Sequence, residues 1–200
     1  MTDLRRHAPA ASRNREPILA VLRRVLPERG SVLEIAGGSG EHAVHFAAAL
    51  PGLRWRATDA DPDSVASIAA WRRSGGTPNL MVPRLLDVAG ADWGDETYDA
   101  IFSANMIHIS PWAACLGLLA GAGRHLATGG VLILYGPFRI DGQHTAASNE
   151  AFDADLRSRN PQWGVRDLGD VDREALRHGL VLEERTEMPA NNQTVVWRKK

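Results

Sequence analysis

The stretch VLEIAGGSGEHAVHFA, residues 32–47, narrows the choice of fold more than any bulk property of the chain. An apolar run meets Gly37, Gly38 and Gly40, and an amphipathic run then begins. This reads as a buried strand, a tight turn and a helix. A strand that passes directly into a helix returns to its sheet by a right-handed crossover, so the next strand lies parallel to it.

The same alternation continues on both sides of the loop. Ile18, Leu22, Val25 and Leu26 recur at helical spacing, and Pro27 to Gly30 close that helix. LRWRATD reads as a second strand and PDSVASIAAWRRSG as a helix with Pro62 in its first turn. LMVPRLLDV is a weaker third strand, because Pro83 removes a ladder donor. YDAIFSAN is a fourth, followed by a helix from about Trp112 to Leu126 and by the apolar strand VLILYG. Residues 137–170 are polar and predicted to form a substrate-side insertion, with a short helix around Asn149 to Arg157. DVDREALRHGL reads as a helix. LVLEERTEM and QTVVWRKK, joined through PANN, read as an antiparallel pair closing the sheet. The chain is therefore expected to be a single α/β domain over 1–200, doubly wound around a mostly parallel sheet, with residues 1–16 as an N-terminal arm or lid.

Bulk properties restrict the partners. A net charge of -1 supplies no general field for nucleic acid or an anionic membrane, so a small-molecule substrate is expected. The single Cys115 excludes an intrachain disulfide and reads as a buried thiol in a helix. No His/Cys/Asp spacing suggests a metal site. The N-terminus lacks the apolar core of a secretion signal, and no apolar run reaches the roughly 18 residues of a membrane span, so a cytoplasmic protein is expected.

Two cofactors compete for the glycine loop. GSGEHA, residues 38–43, fits a dinucleotide fingerprint, and Asp59 stands where a ribose-binding acid belongs. A pyrophosphate, however, needs bare N–H groups at the helix start, where Glu41 would repel it and Glu34 would add to the repulsion. S-adenosylmethionine (SAM) instead presents a sulfonium and an ammonium. Glu34 at the end of the first strand can attract them, Asp59 can accept the ribose hydroxyls, and Asp87 can accept from the adenine amine. Each acid also has a plainer reading. Glu34 suits a core acceptor, Glu41 a first-turn acid, Asp59 or Asp61 a helix cap, and Asp87 a turn acid.

With these acids in order, the chain resembles the class I SAM-dependent methyltransferases. LEIAGGSG is similar to their first motif, with Ala36 in place of the usual first glycine. More closely, the chain resembles the methyltransferase-like 26 family (domain of unknown function 938). The shared stretches are APAASRNREPIL, VLEIAGGSGEHAVHFA, NMIHISPW, LYGPF, SNEAFDADLRSRNPQWGVRD and PANN, spanning residues 8–194. The resemblance implies a Rossmann-like seven-stranded sheet ending in an antiparallel hairpin, and SAM as the cofactor, but names no acceptor.

Ligands of such sheets bind beyond the carboxyl ends of the strands. SANMIHISPW and YGPFRIDG would then adjoin the reacting centre, with Asn105, His108 and Tyr135 as candidates to orient or deprotonate an acceptor. Asn105 is also a candidate cofactor contact, along with Gly37, Gly38, Gly40 and the arm residues Arg13 and Asn14, which read equally as a solvated arm. Asn191 and Asn192 suit either a plain turn or the acceptor's wall. Trp55 and Trp71 suit packing, and Trp112 and Trp163 suit the acceptor pocket. The expected activity is methyl transfer to an O, N or S nucleophile of a small molecule. A SAM-binding module without transferase activity and an NAD(P)-dependent reductase are the alternatives.

Overall fold

The computed structural model describes residues 3–90 and 92–200. One mixed sheet forms the centre, in the order β3-β2-β1-β4-β5-β9-β8. The first five strands are parallel: β1 (Gly30–Ile35), β2 (Leu53–Asp59), β3 (Arg84–Leu85), β4 (Tyr98–Ala104) and β5 (Leu126–Gly136). A short ribbon follows, β6 (Arg139–Ile140) with β7 (Gln143–His144). β8 (Leu180–Met188) and β9 (Asn192–Lys199) then form an antiparallel hairpin, and β9 lies between β5 and β8. The α/β class, the seven strands and the terminal hairpin are as the sequence predicts.

Strand β1 shows why both faces must be covered. Val32 packs into a cluster with Phe46, Ile68 and Phe102, whereas Leu33 and Ile35 face the other way among Leu118, Val171 and Trp197. Helices α1 (Pro9–Val25), α2 (Glu41–Ala49) and α3 (Pro62–Gly75) cover the first face. Helices α4 (Trp112–His125) and α6 (Leu168–Arg177) cover the second, and α5 (Ala147–Arg159) belongs to the segment inserted after β5. At the far edge, β8 is buried only at its ends, Leu180 and Met188, and carries Glu183, Glu184, Arg185 and Glu187 between them, charges that discourage edge-to-edge pairing.

Two local expectations are corrected. The third strand shrinks to Arg84–Leu85, since Pro83 leaves only an isolated bridge, Trp55 to Leu80, on its other side. The arm expected over 1–16 is helical from Pro9, so Arg13 and Asn14 lie on α1 rather than ahead of the first helix. Pro9 suits the first turn of a helix, and the Glu41 carboxylate accepts the Ala8 N–H at 2.6 Å. That anchor lies 33 residues away in sequence, outside any local window.

Among the described residues, no helix is long and apolar enough to cross a membrane, and no group of three metal-ligating side chains is gathered. Cys115 is buried, and burial pushes its thiol up to about 12, so it serves as packing.

Candidate functional site

The strand order reverses direction between β1 and β4, and the crevice at their carboxyl ends is where an open α/β sheet takes its ligand. The glycine loop fills one side of that crevice. Gly37 N–H donates to the Thr58 carbonyl at 2.8 Å, and Gly40 N–H donates back to the Gly37 carbonyl at 3.0 Å. Gly40 has φ +93°, and a Cβ there would lie 2.8 Å from Ile68 Cα, so this glycine allows α3 to approach. A Cβ at Gly38 would meet open space, which leaves bare backbone facing outward. Ala36 sits in the left-handed region at φ 56°, the conformation for which glycine is the usual residue.

The four acids have four different environments. Glu34 is 2% exposed and accepts the Trp55 indole N–H at 2.7 Å. Burial pushes its carboxyl up to about 8, opposed by the indole hydrogen bond and reinforced by nearby Asp59. Asp59 accepts the backbone N–H groups of Gly38 and Asp61, each at 2.9 Å, and so pins the loop to the end of β2. The capping role falls to Asp61, which accepts from the Asp63 and Ser64 N–H groups. Asp87 is exposed and accepts the Ala89 N–H at 2.9 Å, an Asx turn.

Glu41 turns out to be a fastener. Besides the Ala8 N–H it accepts the Ser39 hydroxyl at 3.1 Å, and it lies 3.3 Å from His7 Nδ1. The segment before α1 is tied down along its length. Arg6 N–H donates to Ser67 Oγ, its guanidinium pairs with Asp61 and Asp63, and the Trp71 indole donates to its carbonyl. The Ser67 hydroxyl in turn donates to the Ser39 carbonyl at 2.7 Å. An acid therefore occupies the start of α2, where a pyrophosphate would need open N–H groups.

The other side of the crevice is a cavity of about 260 Å³ between α1, the ends of β4 and β5, and the β8–β9 turn. Arg13, Asn14, Asn105, Tyr135 and Asn192 line it with the apolar atoms of Ala10, Pro17, Pro189 and Ala190. Asn105 is held at φ 62°, and its N–H donates to the Tyr135 carbonyl at 2.7 Å. Asn14 lines the cavity beside Tyr135, and its Oδ1 accepts from His42 Nε2 at 2.7 Å. Burial keeps Tyr135 protonated by raising its pKa, and burial drives His42 down to about 4, so both are neutral. The turn opposite contains Ala190 and Asn191, both at φ 57°, and α5 fastens it: Asn149 Nδ2 donates to the Asn191 carbonyl, and Asn191 donates to Ser148 Oγ.

His108 does not join this group. Its side chain is 0% exposed, stands edge-on to Phe138, and accepts the Arg166 N–H at Nδ1. Burial, with the Arg166 charge, drives its pKa down to about 3. A neutral ring sealed in the core has no route to a proton on an acceptor, so the general-base role is withdrawn. Of the tryptophans, Trp55 holds Glu34 and Trp71 holds the N-terminal segment. Trp112 lies under Arg166 and Trp163 under Arg159, outside the cavity. His42 and Asn149 were missed by sequence reasoning. Their partners lie 28 and 42 positions away, so the stretches that contain them gave no sign of these contacts.

The strand order, the reversal point and the terminal hairpin define the class I methyltransferase fold. Solved structures agree in architecture. An O-methyltransferase family protein from Burkholderia thailandensis superposes with TM-score 0.81 at 14% identity, over 96% of this chain and 57% of that one. Human N-acetylserotonin methyltransferase in complex with SAM gives 0.78 at 15% identity, over 95% and 52%. The SAM-dependent methyltransferase SibL in its apo form gives 0.78 at 21%, over 95% and 55%. This chain thus spans little more than half the length of these neighbours. Residues 5–199 match the family described as a protein of unknown function (DUF938), and the chain belongs to that family.

Proposed function

We propose that the chain is a SAM-dependent methyltransferase of the methyltransferase-like 26 type, acting on a small molecule in the cytoplasm. One observation carries the choice of cofactor: the loop is surrounded by Glu34, Glu41 and Asp59, and Glu41 closes the start of α2. Such a set of acceptors fits a cation bearing a diol. Glu41 and Asp59 oppose a dinucleotide's phosphates, whereas Glu34, held largely neutral at pH 7 by burial, would ionise beside a cation. Glu34 would face the cationic end, the bare Gly38 backbone would allow the methionyl part to approach, and Asp59 keeps acceptor capacity for the ribose. SAM bound there would supply an electrophilic methyl group. The solved neighbours named as SAM-dependent or SAM-bound methyltransferases support the same reading.

Beside it, the cavity offers orientation rather than proton removal. Among its lining residues Tyr135 is held protonated and Arg13 is a cation, so none is a base at neutral pH. Methyl transfer proceeds by in-line displacement, and alignment supplies much of its rate. The cavity therefore suits an acceptor whose nucleophile needs no deprotonation by the protein. Calorimetry with SAM, S-adenosylhomocysteine and NADH tests the cofactor: the first two bind and NADH does not. Label transfer from methyl-labelled SAM into a whole-cell metabolite extract tests the activity. Tight NADH binding without SAM binding would overturn the reading, and SAM binding without any transfer would leave a binding module.

A further inference from the structure

We infer that the acceptor is a small organic anion and that Arg13 is its charge partner, a conclusion that rests on the transferase reading above. Several arginines of the chain are paired among the described residues. Arg6 pairs with Asp61 and Asp63, Arg24 with Glu184, Arg157 with Asp153, and Arg198 with Glu183. Arg13 is exposed and forms no ion pair or hydrogen bond among the described residues, yet it lines the cavity. No carboxylate lines that cavity to neutralise it. A guanidinium left open in a concave site presents a fork of donors suited to a carboxylate or a phosphate.

The surroundings favour the same ligand. The Asn105 carboxamide makes no hydrogen bond within the described residues, although its backbone is held in the left-handed region at φ 62°. A strained residue with a free amide at a strand end is a common sign of a ligand contact. Arg13, Asn14 and Tyr135 line the same cavity, and the Arg13 charge opposes the upward shift that burial gives the Tyr135 phenol. Arg13 sits one residue from Asn14 on α1, so the His42–Asn14 contact that anchors the helix also fixes the guanidinium's origin. The volume, about 260 Å³, lies just below the roughly 300–1,000 Å³ typical of drug-sized ligands, which points to a metabolite of modest size. Pro17, Pro189 and Ala190 supply an apolar wall for the rest of such a molecule.

The test uses the full chain with methyl-labelled SAM. A low-molecular-weight extract of the cells that make the protein is split on an anion exchanger into retained and unretained fractions. Label is expected in the retained, anionic fraction. Arg13→Gln should cut kcat/KM for that fraction at least about tenfold, chiefly through KM. Arg13→Lys should restore part of it, and the Kd for S-adenosylhomocysteine should not change in either variant. Label confined to the unretained fraction overturns the inference and leaves the transferase reading intact. Label in neither fraction, with S-adenosylhomocysteine still bound, overturns both. Loss of S-adenosylhomocysteine binding in Arg13→Gln also overturns the inference, because Arg13 would then belong to the cofactor.

Discussion

Replacing Glu34 by Gln should make the ligand-free protein more stable while weakening its hold on SAM. Glu34 has an ordinary value of 4.5 and stands at about 8 in the folded chain. The folded value lies above the unfolded one, so the penalty is absent below pH 4.5, grows through the window up to about 8, and is complete above it. At about 1.4 kcal/mol per unit, it is under about 1 kcal/mol at pH 5, about 3 at pH 7 and between about 4 and 5 at pH 9. The Gln carboxamide keeps an acceptor for the Trp55 indole and carries no charge to desolvate. Urea unfolding of both proteins at these three pH values measures the difference as a shift in midpoint at constant slope. The stabilisation should widen steadily from pH 5 to pH 9. A difference that is flat with pH, or that falls as pH rises, refutes the account of Glu34 as a carboxyl buried at a cost. A cation bound beside Glu34 would displace its proton, so SAM affinity of the wild type should rise with pH up to about 8 and then level. The Gln variant should lack that rise and lose affinity for SAM more than for the uncharged-sulfur product.

Other substitutions read other parts of the site. Ala36→Gly relieves a left-handed alanine costing about 1–2 kcal/mol, less about 0.5–1 for glycine's extra freedom when unfolded. The expected net gain is about 0.5–1 kcal/mol, seen as a rise of about 2 °C in Tm. Gly40→Ala should do the reverse, since its Cβ would meet Ile68 Cα at 2.8 Å at φ +93°, and cofactor affinity should fall with stability. His108→Ala should cost about 2–4 kcal/mol of stability through the cavity it leaves, while the pH profile of kcat shows no inflection from this ring in either protein. An imidazole inflection near its ordinary pKa that disappears in the variant would reinstate His108 as a base. Glu41→Ala should release the segment before α1, detected as faster amide exchange at Ala8 and loss of protection over residues 3–8.

Much of this fold could be read directly, and the site only in part. PDSVASIAAWRRSG becomes α3 over the same residues, and LRWRATD becomes β2. Both are dictated by short-range rules: a proline in the first turn, an Asp cap, and alternation of buried positions. The start of α1 was not readable, because the N–H of Ala8 just ahead of it is met by Glu41 on α2, 33 residues away. Near the site, residue type was a fair guide to position and a poor guide to role. Asn105, Tyr135, Arg13, Asn14 and Asn192 meet in one cavity. His108 carries the side chain best suited to proton transfer, yet it sits in the core.

By itself the sequence determined the order of strands and helices, the glycine turn and the acidic character of the loop. Periodicity, turn chemistry and charge are properties of neighbouring residues, and neighbours are visible in a chain. Tertiary structure alone decided what each acid does: Glu34 is buried under Trp55, Glu41 fastens the N-terminal segment, and Asp59 pins Gly38. It also decided which polar side chains reach the cavity. Desolvation and hydrogen bonding depend on partners brought together across tens of residues, so the same carboxylate or imidazole takes its role only after the chain has packed.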